Sequence, residues 1–172
     1  MRQFIAVPLH NKVKQYIENM MEPFRGIKGL KLVKPENLHL TLLFLGDRGA
    51  GNKIEELREI SFMPFTILTN SVRLFPGRNS RLIWIELEKS IELQGLYDKV
   101  ASVFGVNAGY KAHITIARIK WLNQADKEVL REKIDHINPC KLTLRVGNFI
   151  LYGSELKTDG PLYQVIESFP SN

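Results

Sequence analysis

Two histidines and two threonines recur along this chain in a pattern that suits general acid–base catalysis. The first pair lies in residues 36–46, ENLHLTLLFLG, and the second in residues 112–118, AHITIAR. In an extended strand successive side chains point to opposite faces, so His39 and Thr41 share one face while Leu38, Leu40 and Leu42 share the other. His113 and Thr115 repeat the arrangement 74 positions on (113 − 39), backed by Ile114 and Ile116. A lone histidine in an apolar strand reads as a satisfied core residue. A second copy with threonine at the same offset reads as chemistry.

Imidazole is the side chain whose ordinary pKa leaves it near half-protonation at neutral pH. Two of them on opposite sides of a substrate can serve as base and acid in one turnover, each transfer contributing roughly 10²- to 10⁴-fold. The threonine hydroxyls can donate hydrogen bonds to oxygens where negative charge builds. The scheme demands no metal: a zinc site would want further ligands beside each histidine, and the motifs offer threonine instead. His10, at a helix start, and His136, in a loop, read as surface residues.

Elements that could position these groups emerge from the hydrophobic pattern. Residues 3–9 predict a strand, and Asn11 an N-cap for a helix carrying Val13, Ile17, Met20, Met21 and Phe24 inward. Residues 30–33 predict a short strand and residues 54–60 a short helix. Strand material at 65–69 and 72–75 is stopped by Pro76-Gly77. From Leu82 the order begins again. LIWIEL echoes the opening strand, Ser90 caps a helix with Leu93, Leu96, Val100 and Phe104, AHITIARI echoes LHLTLLFL, and Asn123 starts a helix with Val129, Leu130 and Ile134 inward. Residues 139–153 parallel residues 64–77. The expectation is a single bilobal α+β domain, residues 1–172, with pseudo-repeat halves 1–77 and 82–153. Two mainly antiparallel sheets would face a central cleft with helices packed outside, and a hairpin over 154–170, turning at Asp159-Gly160, would close one sheet.

Composition bounds the partners. The formal net charge is +6 over 172 residues, and the sequence pI is about 9.5, which favours polyanions. Lys28, Lys31 and Lys34 precede the first motif, Arg73, Arg78 and Arg81 lie midway, and Lys111 and Arg118 flank the second. The one cysteine, Cys140, reads as a buried small hydrophobe. With no leader peptide and only a short apolar start, the expectation is a cytoplasmic protein without membrane attachment. No GxxxxGK[ST] loop is present, so no nucleotide cofactor is expected. Phe44, Trp84 and Tyr152 can stack a base, although the strand positions of Phe44 and Trp84 favour core roles.

The paired motifs His39-Leu40-Thr41-Leu42 and His113-Ile114-Thr115-Ile116 resemble the HxTx signatures of the 2H phosphoesterase superfamily. Within it they resemble the RNA 2',3'-cyclic phosphodiesterases, also called 2'-5' RNA ligases. Phe4 to Leu9, Lys34 to Leu38, Phe44-Leu45-Gly46, Arg118, and Ser154, Leu156, Gly160, Pro161 and Tyr163 fit the same family in order and spacing.

The resemblance implies an enzyme that opens 2',3'-cyclic phosphate ends of RNA, tRNA fragments among them, to 2'-phosphomonoesters, and that can also join such ends to 5'-hydroxyls in 2'-5' linkages; a monomer is expected, with no metal or cofactor. It implies His39 as proton donor, His113 as proton acceptor, and Thr41, Thr115 and Arg118 as phosphate ligands. The residues alone leave open which histidine is acid. Arg118 also poses a geometric problem, because strand parity puts it opposite His113 and Thr115. Reaching the same phosphate needs a bulge or a strand end at Ala117. Other readings are a 2H enzyme acting on 2'-5' oligoadenylate or a cyclic ADP-ribose phosphate, and a non-catalytic RNA-binding module that keeps the groove.

Overall fold

A computed structural model of the chain describes residues 1–74, 81–158 and 160–172. The expected stop at Pro76-Gly77, Arg78 and the Asp159 half of the hairpin turn lie outside the described residues.

β1 (Arg2–Pro8) is apolar on both faces, with Phe4 to Val7 all buried, because it runs through the middle of a sheet. It pairs antiparallel with β3 (His39–Gly46) on one side and β8 (Asn148–Lys157) on the other, and β9 (Gly160–Pro170) completes the order β3-β1-β8-β9. A second sheet has the order β2-β6-β5-β4-β7. Its members are β2 (Leu30–Leu32), β4 (Phe65–Leu74), β5 (Leu82–Leu87), β6 (His113–Ile119) and β7 (Thr143–Val146). The fold is α+β with two antiparallel sheets. The sheets do not divide along the sequence: β4 leaves the first half to pair with β5, and β8 leaves the second half to pair with β1.

Helices α1 (Asn11–Met21), α2 (Ile54–Arg58), α3 (Ile91–Val103) and α4 (Gln124–His136) each bury one stripe in the core and leave the rest to solvent. α1 begins one residue earlier than Asn11 predicts as a cap: His10 is the N-cap, its Nδ1 accepting from the Lys12 amide at 3.3 Å. Ser90 and Asn123 cap α3 and α4 as expected, accepting from Leu93 and Asp126 amides at 3.1 and 2.7 Å. Leu130 and Ile134 face inward, but Val129 does not, being 43% exposed on the outer face of α4. His136 ends that helix rather than lying in a loop; it is exposed, as is His10. Cys140 is buried, and burial pushes its thiol up. Among the described residues no helix is long and apolar enough to cross a membrane.

Candidate active site

β3 and β6 carry the two motifs, and each has the burial pattern intermediate-buried-intermediate-buried-buried over its first five residues. The two consecutive buried residues mark a bulge. On β3, Ile5 pairs with Leu43 and Ala6 with Thr41, so Leu42 is the extra residue. On β6, Ile83 pairs with Ala117 and Trp84 with Thr115, so Ile116 is the extra residue. The bulges are 74 positions apart (116 − 42), the same separation as the histidines. Each reverses strand parity for the residues after it.

The reversal returns Arg118 to the face of His113 and Thr115, where its charge is felt by both His39 and Tyr163. Phe44 takes the equivalent place on β3. It is 71% exposed instead of lying in the core, 6.1 Å from the ring of Phe4. Trp84 does lie in the core, 1% exposed, with its ring 4.6 Å from that of His113.

Both histidines are held in the same way. His39 Nδ1 lies 2.7 Å from the Asn37 carbonyl, and His113 Nδ1 lies 2.7 Å from the Lys111 carbonyl. A carbonyl only accepts, so Nδ1 is the donor in each and Nε2 is the nitrogen whose protonation can change. The electrostatics act on both rings in the same direction. Burial, aided by Lys14, His113 and Arg118, lowers His39 from 6.5 to about 4. Burial and the nearby Lys111 also lower His113. The charges of His113 and Arg118 both bear on His39, a positive surrounding that an anion would relieve. Thr41 and Thr115 are half-buried on the same faces.

Several surrounding residues gain their roles only from the fold. Phe4 lies 4.9 Å from the His39 ring, and Tyr163 meets that ring edge-on at 5.5 Å. Tyr152 stacks on Phe4 at 5.1 Å. Asn37, itself buried, donates from Nδ2 to the Pro161 carbonyl at 2.9 Å and so ties the β8–β9 hairpin to the turn that holds His39. Lys111 sits with Nζ 4.5 Å over the Trp84 ring. Only the pairing of β1 with β3 and β8, and of β8 with β9, shows that these aromatics meet.

Residues 7–84 match the family model described as LigT like Phosphoesterase. The chain is 34% identical over 178 residues to an RNA 2',3'-cyclic phosphodiesterase of Archaeoglobus fulgidus, covering 98% of this chain and 99% of that one. It is 31% identical over 177 residues to the protein of the same name from Methanocaldococcus jannaschii, covering 98% and 100%. A crystal structure from Thermus thermophilus superposes with a TM-score of 0.80 at 27% identity, covering 99% of this chain and 97% of that one. Escherichia coli LigT, crystallised with phosphate, shares the fold at a TM-score of 0.78 and 19% identity, covering 99% and 96%.

Proposed function

The chain belongs to the LigT-like phosphoesterases, and from that premise we propose that it is an RNA 2',3'-cyclic phosphodiesterase working by paired-histidine acid–base catalysis. The observation that carries this reading is the matched geometry of His39 and His113. Each stands on a bulged strand, each is fixed through Nδ1 to the carbonyl two residues back, and each keeps Nε2 as the nitrogen that can exchange a proton.

In the proposed step a neutral imidazole takes a proton from water as the water oxygen bonds to phosphorus. The bond from phosphorus to the ribose 3'-oxygen breaks, and that oxygen takes a proton from the other imidazolium, leaving a 2'-phosphomonoester. By family likeness His113 is the acceptor and His39 the donor. His39 is the harder of the two to protonate in the free protein, so its donor role depends on the bound phosphate. An anion between Arg118 and the two rings reverses the repulsion and raises the pKa of both. Thr41 and Thr115 hydroxyls would donate to the non-bridging oxygens, and the Arg118 fork would pair with them. Phe44, exposed on the cleft face, would stack the base.

The same step with an RNA 5'-hydroxyl in place of water forms a 2'-5' linkage: the 5'-oxygen bonds to phosphorus and gives up its proton, the ribose 3'-oxygen leaves and takes one, and no nucleotide cofactor is needed. RNA ends with a 2',3'-cyclic phosphate are the proposed substrate and tRNA fragments one source of them. The proposed state is a cytoplasmic monomer.

The test is hydrolysis of a 2',3'-cyclic nucleotide in the presence of chelator, with product regiochemistry read by phosphorus NMR. Wild type should give the 2'-phosphate, and His39→Ala and His113→Ala should each lose about 10²- to 10⁴-fold in kcat. Tight RNA binding without turnover by any of the three would favour a non-catalytic module.

A further inference from the structure

Among the described residues β3 is an edge strand, paired with β1 on one side, so backbone groups on its other side need partners from elsewhere. Tyr110 supplies one. Its hydroxyl donates to the carbonyl of Thr41 at 3.0 Å. Tyr110 stands three residues before His113, so this bond runs from the segment entering one motif to the backbone of the other. The ring is fixed from behind by Tyr97 of α3, stacked at 4.3 Å with only 6° between the planes. Tyr97 in turn donates its hydroxyl to the Ala108 carbonyl at 3.0 Å, which pins the loop that carries Tyr110. Burial pushes the Tyr110 phenol well above its ordinary pKa, so the hydroxyl stays a donor throughout the working range.

We infer that Tyr110 is a positioning residue, whose hydroxyl sets where β3, and with it Thr41, stands relative to His113 across the cleft. It acts through Thr41 and touches no substrate. The physical need is specific. Two sheets that share a catalytic space can slide or rotate against each other by fractions of an ångström, and a phosphate held from both sides tolerates little of that. A bond from one motif's lead-in to the other motif's backbone removes that freedom at the place where it matters. The inference rests on the function proposed above, but it can be tested apart from it.

The stacked pair provides its own control. Tyr110→Phe and Tyr97→Phe each delete one hydroxyl bonded to one backbone carbonyl and keep both rings, so both variants should fold. Both should lower the melting temperature by a similar amount, about 2–4 °C. With adenosine 2',3'-cyclic phosphate as substrate, Tyr110→Phe should lower kcat by about 10- to 100-fold. Tyr97→Phe, which leaves the bond to Thr41 in place, should stay within about twofold of wild type. Amide hydrogen exchange over residues 39–43 should quicken in Tyr110→Phe and not in Tyr97→Phe, a readout that requires no turnover. Unchanged kcat in Tyr110→Phe, equal losses in the two variants, or equal exchange over 39–43 would each overturn the inference. Absent turnover by wild type would instead sink the proposed function, and the exchange measurement would still decide the role of Tyr110.

Discussion

Phe44 and Arg118 occupy the same position on two different strands: each is five residues past its histidine and two past a bulged residue. One half of the molecule therefore offers a bare aromatic ring where the other offers a guanidinium. The cleft is symmetric in its acid–base groups and asymmetric in what flanks them. If a nucleotide binds there as proposed, that asymmetry would give it one orientation in a site that would otherwise accept two.

If Arg118 pairs with phosphate, Arg118→Ala should cost about 10²-fold in kcat/KM, and Arg118→Lys should recover only part of it because the fork is lost. If Phe44 stacks a base, Phe44→Ala should act mainly on KM, by about 5- to 150-fold, which corresponds to roughly 1–3 kcal/mol. Steady-state kinetics on a 2',3'-cyclic nucleotide separate these effects. An Arg118→Ala variant with wild-type kcat/KM would remove it from the site.

Stability should also report on His39. Its pKa is about 4 in the folded protein against 6.5 ordinarily. Between these values the unfolded chain binds more protons than the folded one. The contribution is therefore complete above the ordinary value and is lost as pH falls toward the folded one. Urea denaturation of wild type should lose more stability from pH 6.5 to pH 4 than that of His39→Asn. Equal acid slopes would mean that the ring is not buried as described.

Activity should follow two limbs. Both histidines are lowered in the free protein, so the kcat/KM optimum should fall on the acid side of 6.5. Bound phosphate favours imidazolium, so the alkaline limb of kcat should lie at higher pH than that of kcat/KM. Coincident limbs would argue against an anion between the rings.

The Asn37–Pro161 bond predicts a local effect. Asn37→Ala leaves the Pro161 carbonyl without its donor, at a cost of about 1–3 kcal/mol. Amide exchange should quicken first near residue 161 in β9. A uniform change across both sheets would contradict the clamp.

Alternation alone exposed the histidine–threonine faces, since a period of two needs only local sequence. The helix stripes were legible for the same reason, apart from Val129, whose neighbours Leu130 and Ile134 already fill the inward side. Arg118 and Phe44 resisted that logic because a bulge is a property of two paired strands. Leu42 and Ile116 look like ordinary members of an apolar run until their partners on β1 and β5 are known. The contacts made by Tyr110, Asn37, Phe4 and Tyr163 were hidden for a related reason: what each does depends on a partner far away in the chain. The likeness between residues 64–77 and 139–153 announced a repeat, yet it could not reveal that β4 and β8 would each pair with the other half.

That crossing of β4 and β8 makes the two halves mutually dependent. Severed between β4 and β5, neither fragment would own a complete sheet: the first would lack β8 beside β1, and the second β4 beside β5. Fragments made separately should remain unstructured alone and regain order when mixed, like clasped hands.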